Sequence, residues 1–464
     1  MTERQDLVVV GGGSGGFAAA MRAAQLGGRV TVVEEKHIGG NCMNHACIPL
    51  TFLTTAGHVA ETIERAAFFG IQAGEPTFDI EALRDRKDLI IQGLQMGTEE
   101  QLSDHGVRLI EGRGRLLDRE TVEAAGERIK TRNVVLATGS VSATLPIEGA
   151  ELPGVLDTGA SIDLQEIPAR IAVIGDHPWD LELAQYFNWL GSEVTLVTGT
   201  RQVLCFEDVI ADREVSQRLA KRLHDSGIAI KRGVNVQAIR RDDEDDALTV
   251  VLREEEGEIV VDKVLASRRS SNSAGIGLRE VGVRMEQGAV RVDEHMRTNI
   301  PGIYAIGDLI PGPMWSHKAN VEGIVAGANA MGADEVVDYE TMPHCLHTWP
   351  PVAWVGVSQD EAEDRGLEVD IGKVPVAINP YAMILNRTEG AIKIIADKAY
   401  GRILGAHMIG PGALDLINVV TVAMLSEATV HELMRFIPAH PSMGEALVDA
   451  AMDVAKRSLH LPKW

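Results

Sequence analysis

The sequence predicts an α/β protein: two Rossmann-like dinucleotide-binding units, then a C-terminal α+β domain. Three observations carry this. The apolar run Leu7 to Val10 leads into Gly11-Gly12-Gly13-Ser14-Gly15-Gly16, a helical stretch Phe17 to Leu26 and a second apolar run Val30 to Val33. That order is a complete βαβ start. It recurs in Arg170 to Gly175, the helical stretch Leu181 to Leu190 and Val194 to Val197. From about His344 onward, strands at Val374 to Ile378, Ala391 to Ile395 and Ile403 to Ile409 mix with helices near Asp415 to Ser426 and Gly444 to Leu459. The expected division is 1–148, 149–270, 271–342 and 343–464, the third segment returning to the first unit.

In the first unit the glycines let backbone donors approach a pyrophosphate, and the helix N-terminus favours its charge. Glu34 ends the second strand, 18 residues past Gly16, where a carboxylate accepts hydrogen bonds from a ribose. Helices are expected at about Phe52 to Gly70 and Ile80 to His105, then strands ending in Val134-Val135-Leu136-Ala137-Thr138-Gly139-Ser140. The stretch from Ile228 to Leu265 is strand-like, and its acidic runs, Asp242 to Asp246 and Glu254 to Glu256, read as solvated hairpin tips. A strand at Pro301 to Asp308 ends in an acid, and Lys318 to Met331 is helical.

Composition narrows the function. A chain of 464 residues with 45% hydrophobic content buries several cores, and a formal charge of -23 argues against nucleic acid and anionic membranes, both of which reward clustered cations. The N-terminus lacks a signal-peptide pattern and no apolar run reaches membrane-spanning length, so a cytoplasmic protein without membrane insertion is expected. Only four cysteines occur, Cys42, Cys47, Cys205 and Cys345, too few for a disulfide framework. Cys42 and Cys47 follow the glycine-rich unit closely, which argues for a redox-active disulfide beside a dinucleotide. Residues five apart in a regular helix have Cα atoms about 8–9 Å apart, beyond the roughly 4.4–6.8 Å that a disulfide tolerates. The pair therefore requires a distorted helix start, which Pro49 suits. Two unpaired buried thiols is the plainer alternative.

Over nearly its whole length the chain resembles the flavoprotein disulfide reductases, the pyridine nucleotide-disulfide oxidoreductase family, most closely its dihydrolipoamide dehydrogenase branch. The matching motifs are the Gly11 to Gly16 loop with Glu34, Gly40-Asn41-Cys42 with Cys47-Ile48-Pro49, Ala137-Thr138-Gly139, Gly307-Asp308, and Ala439-His440-Pro441 with Glu445. The resemblance implies FAD held by Gly11, Gly13, Ser14, Gly15, Gly16, Glu34, Gly40, Asn41, Thr138, Gly139 and Asp308. It implies that Cys47 lies nearer the flavin and that Cys42 exchanges with a small dithiol or lipoyl-type substrate. It implies a homodimer through the C-terminal domain, in which His440, oriented by Glu445, is the base at the partner's disulfide.

Three departures qualify this. The second unit reads Gly175-Asp176-His177-Pro178-Trp179-Asp180 where the family has a glycine-rich turn. His177 blocks backbone approach to a pyrophosphate, Asp180 is expected as an N-cap, and the next strand ends Leu196-Val197-Thr198 without a ribose-binding acid, so NAD(P) binding is doubtful. Thr51 replaces the family's flavin-contacting lysine, leaving Glu182 to be protonated or to find another donor. His347-Thr348-Trp349-Pro350-Pro351 and Pro438 alter the substrate side, and Cys345, His344 and His347 lack a fourth ligand, so no metal is expected. The reading is an FAD-dependent dithiol/disulfide oxidoreductase with an unidentified electron acceptor. Its alternatives are a conventional NAD-dependent enzyme with unusual nicotinamide binding and a redox sensor without turnover.

Overall fold

The computed structural model describes residues 4–206, 209–241, 246–253 and 257–462. The acidic runs expected as hairpin tips fall at 242–245 and 254–256, outside the described residues; Asp246 pairs with Arg241. The first sheet places its parallel strands in the order Arg108–Glu111, Val30–Glu34, Gln5–Val10, Glu127–Leu136, Ile303–Ala305. Strand Glu127–Leu136 is long enough to serve twice. Its first half pairs antiparallel with Thr121–Ala124, and its second half lies between Val8–Val10 and Ile303–Ala305. Val8, Val9, Val134, Val135 and Leu136 are fully buried, as expected of a parallel sheet covered on both faces.

Helix Ser14–Gln25 covers one face and packs against helix Ser316–Ala330 at backbone distance. A Cβ added at Gly323 would lie 2.2 Å from the Gly15 carbonyl oxygen, and one at Gly327 would lie 2.5 Å from that of Ala19. The two helices are therefore locked together by small residues, and the first turn of Ser14–Gln25 is fixed beside Ser316.

The second sheet is also parallel, in the order Ala229–Arg232, Glu193–Thr198, Arg170–Ile174, Lys263–Ala266, Val155–Leu156. Helix Pro178–Trp189 is buried along most of its length between this sheet and helix Cys47–Glu64. The C-terminal residues form a five-stranded antiparallel sheet in the order His344–Leu346, Val352–Gly356, Ile403–Ile409, Ala391–Asp397, Val369–Pro375, with helices Ala413–Leu425 and Gly444–Val454 packed on it.

Several element ends differ from the sequence expectation; the strand expected at Val374 to Ile378 runs Val369–Pro375 and gives way to a 3-10 turn at Val376–Ile378. The helix expected from Phe52 begins at Cys47. The helix expected to reach Leu459 stops at Val454, because Lys456 adopts a left-handed φ of 55° and the Lys456 and Arg457 amides turn back to Asp453 and Met452. Among the described residues no helix is long and apolar enough to cross a membrane.

Candidate active site

Cys42 and Cys47 lie on different helices. Helix Gly40–Asn44 breaks at His45 and Ala46, where Ala46 takes φ −139° and ψ −101°, and Cys47 opens the next helix. The break is the distorted start that the five-residue spacing demanded, and it brings the two thiols into hydrogen-bonding contact. The Cys47 thiol is the chief cause that holds Cys42 down at about 6, with Ser316 and Ser14 hydroxyls adding to it. The same bond pushes Cys47 well above the usual thiol range, helped by burial and by the charges of Cys42 and Glu182. One proton is thus shared by the pair and held on Cys47, leaving Cys42 as the thiolate. The Cys47 residue keeps exposed surface.

Beside the cysteines lies the glycine loop. A Cβ on Gly11 would lie 2.2 Å from the Ala137 carbonyl oxygen, and one on Gly16 would lie 1.9 Å from that of Gly11, so packing within the protein requires both glycines. Gly13 differs: its nearest neighbour would be Gly40 Cα at 3.8 Å. The protein leaves this side of the helix N-terminus open, which fits a pyrophosphate. Gly40, at φ 57°, would place a Cβ 2.9 Å from Gly13 Cα, so the cysteine segment sits directly on the loop. Glu34 stands at the end of its strand, its carboxylate accepting the Gly12 and Lys36 amides at 2.7 and 2.8 Å. These residues form a cradle whose shape and charge suit FAD.

The expected residues Asp308, Asn41, Thr138 and Ser14 close this cradle through partners that sequence reasoning missed: Ser140, Arg269, Ser271, Asn272 and Ser316. Asp308 accepts a hydrogen bond from the Ser140 hydroxyl, which itself accepts from Arg269 Nε at 2.8 Å. Asn41 Nδ2 donates to the Ser140 carbonyl at 2.7 Å, and the Ser271 hydroxyl to the Asp308 carbonyl at 2.7 Å. Thr138 turns its hydroxyl to the Asn272 carbonyl at 2.8 Å, and Ser14 shares a 2.6 Å hydrogen bond with Ser316. Burial lowers the Arg269 guanidinium, while Asp308, Asp157 and Cys47 oppose this. The available signal was Arg268-Arg269 just past the carboxyl end of strand Lys263–Ala266.

The altered turn of the second unit is filled by its own side chains. Helix Pro178–Trp189 begins at Pro178, so Asp180 is its third residue and not the expected N-cap. Its carboxylate accepts the His177 amide at 3.2 Å, and a Cβ on Gly175 would lie 2.2 Å from Asp180 Oδ2. Asp180 is fully buried, and burial pushes its carboxyl well above the usual range. The His177 and Trp179 rings stack with centroids 4.0 Å apart. Asp176 accepts from the Thr198 and Thr200 hydroxyls at 3.0 and 2.6 Å, occupying the strand end that lacks a ribose-binding acid. Around these groups lies a cavity of about 350 Å³, reached also by Arg268 and Arg269.

Glu182, on the same helix, finds the other donor that its sequence context called for: the His347 amide at 2.7 Å. Burial lifts its carboxyl to about 7. His344 accepts from Trp315 Nε1 at 3.1 Å, and burial, with a smaller contribution from the Glu182 charge, raises Cys345 to about 12. Among the described residues no group of three or more His, Cys, Asp or Glu is arranged to hold a metal ion.

His440 and Glu445 are brought together, with Nδ1 2.8 Å from Glu445 Oε1. Glu445 also accepts the Ser442 amide at 3.0 Å, and its carboxyl is lowered mainly by the His440 bond. The imidazole projects from the surface with 75% of its side chain exposed.

Comparison with known proteins agrees with this geometry. Residues 5–323 match the pyridine nucleotide-disulphide oxidoreductase family, and residues 342–451 match its dimerisation domain. The dihydrolipoyl dehydrogenase of Thermus scotoductus is 36% identical over 464 residues, covering 98% of each chain. The mitochondrial dihydrolipoyl dehydrogenase of Dictyostelium discoideum is 34% identical over 474 residues, covering 99% of this chain and 96% of its own. The structure of the HOCl-induced flavoprotein disulfide reductase RclA from Escherichia coli superposes with a TM-score of 0.85 at 26% identity, covering 96% of this chain and 99% of that one. The chain belongs to the pyridine nucleotide-disulphide oxidoreductase family and is a dihydrolipoyl dehydrogenase-like, FAD-dependent disulfide oxidoreductase.

Proposed function

We propose that this enzyme oxidises or reduces a small lipoyl-type dithiol through Cys42 and Cys47 and exchanges the electrons with a partner other than free nicotinamide. The observation that carries the second half is Asp180: its carboxylate lies inside the turn at Gly175 and bonds to the His177 amide, at the helix N-terminus where a pyrophosphate would otherwise be received. A buried acid there competes with a phosphate for the same donors. The His177 side chain adds a steric obstacle on the approach.

In the direction of dithiol oxidation, a substrate thiolate attacks Cys42 Sγ of the Cys42–Cys47 disulfide, the S–S bond breaks, and Cys47 leaves as a thiolate that takes up a proton from solvent, since the reduced pair holds one on Cys47. The second substrate thiolate attacks the mixed disulfide at the substrate sulfur, releasing Cys42 and the oxidised substrate. Two electrons then reside on Cys42 and Cys47, and FAD, when bound, supplies their next acceptor. His440 from a second copy of this chain takes the substrate thiol proton at Nε2, because Glu445 holds Nδ1. Gly11, Gly13, Ser14, Gly15, Gly16, Glu34, Gly40, Asn41, Thr138, Gly139 and Asp308 are the proposed FAD contacts.

A second reading, nicotinamide bound in an unusual pose, draws support from the 350 Å³ cavity beside His177 and Arg269. Adding NAD to the dithiol-reduced enzyme separates the two. The proposal expects no reoxidation and no NADH absorbance; stoichiometric NADH formation establishes the second reading instead.

A further inference from the structure

His440 is not the only imidazole held by a carboxylate at this surface. His460 Nδ1 lies 2.6 Å from Asp449 Oδ2, and His440 Nδ1 lies 2.8 Å from Glu445 Oε1. Glu445 and Asp449 are four residues apart on helix Gly444–Val454, so they share one face at about 5–6 Å between Cβ atoms. The His460 charge is felt at Glu445, which places the second pair within electrostatic reach of the first. Asp449 is buried, and His460 covers it.

The tail that carries His460 is docked. Leu461 packs on the C-terminal core and its amide donates to the Ser458 hydroxyl at 3.2 Å. In both pairs the carboxylate engages Nδ1, which fixes the tautomer and turns Nε2 outward, and both side chains are mostly exposed, at 75% and 65%. Among the described residues, the charged and titratable groups that interact with the two imidazoles are Glu445 and Asp449.

We propose that the His460–Asp449 pair is a proton relay for His440. The inference rests on the function proposed above, in which His440 takes a proton from a substrate thiol. That proton leaves His440 Nε2 for His460 Nε2 and then passes to solvent, so His440 returns to its basic form for the second thiol. No electron moves in this step: one N–H bond breaks and another forms, while Asp449 stabilises the imidazolium on His460. Two thiols must lose protons in each turnover, so His440 must discharge its proton between them.

The test uses the FAD-loaded full chain, dihydrolipoamide as dithiol and a dye as acceptor. H460Q is expected to turn over about tenfold more slowly and to recover on addition of imidazole, whereas H440Q recovers far less. D449N, which keeps the tail residue, is expected to show a weaker form of the same loss and the same rescue. The Asp449-bound Nδ1–H of His460 should give a downfield imidazole proton resonance that H460Q and D449N both lack. Unchanged turnover in H460Q, or a loss that imidazole does not restore, overturns the relay; so does the absence of that resonance in the wild-type protein. A wild-type enzyme that no dithiol reduces overturns the proposed function and the relay with it, an outcome distinct from a cycling enzyme indifferent to His460.

Discussion

Glu182 Oε1 accepts the backbone amide of His347 at 2.7 Å, so a buried carboxyl beside the cysteines is held by a neutral donor in place of a cation. Burial raises this carboxyl from 4.5 to about 7. The folded state therefore keeps a proton that the unfolded chain releases. The stability carried by that proton is present below the unfolded value and is lost as pH rises through about 7.

Glu182→Gln keeps an acceptor for the His347 amide and removes the titration. The variant should match the wild type at about pH 4 and exceed its stability by up to about 3 kcal/mol above about pH 8. Denaturation midpoints measured across that range check it. A variant less stable at every pH would show that the carboxylate is favourably held.

Cys42 should be the reactive thiol of the reduced protein. Its alkylation by iodoacetamide is expected to be half-maximal near pH 6, because the Cys47 thiol stabilises its anion. Cys47→Ala should move the midpoint up toward the ordinary thiol range, and Ser316→Ala should move it less. A midpoint above about pH 8 in the wild type would contradict the shared proton.

The glycine loop separates packing from ligand binding. Gly16→Ala forces a Cβ to 1.9 Å from the Gly11 carbonyl oxygen and should destabilise the FAD-free protein by about 3 kcal/mol or more. Gly13→Ala meets only Gly40 Cα at 3.8 Å, so it should cost about 1 kcal/mol or less in stability but at least about tenfold in FAD affinity. Thermal midpoints and FAD titration measure the two effects. Equal loss of affinity and stability in Gly13→Ala would show that the open side serves the fold.

How much of this was legible in the sequence depends on range. The Gly11 to Gly16 loop and the break between Cys42 and Cys47 follow from local residue order and spacing, and both appear where the sequence placed them. The Ser140–Asp308 and Arg269–Ser140 bonds join residues 168 and 129 positions apart and left no local pattern. Asp180 was misassigned by a register of three, because Pro178 at the first helical position makes His177 the boundary residue. The His460–Asp449 pair was invisible for a related reason: it depends on where helix Gly444–Val454 stops and on how the tail turns back.

His440 is exposed in the single chain, and the proposed site needs it at a second copy's disulfide. Cys47→Ser and His440→Ala chains are each expected to be inactive as homodimers. Mixed at random in equal amounts, they should recover about a quarter of wild-type activity, since about half the dimers would each hold one intact site. Complete absence of recovery, with heterodimers confirmed by mass, would contradict a site shared across the dimer.

The central proposal is that the dithiol side of the FAD is intact while Asp180 and His177 oppose a pyrophosphate at the turn of the second unit. Anaerobic titration of the FAD-loaded enzyme, followed by flavin absorbance, tests this most directly. Stoichiometric bleaching by dihydrolipoamide, with no bleaching by the same amounts of NADH or NADPH, is the expected result; rapid stoichiometric reduction by micromolar NADH or NADPH would contradict it.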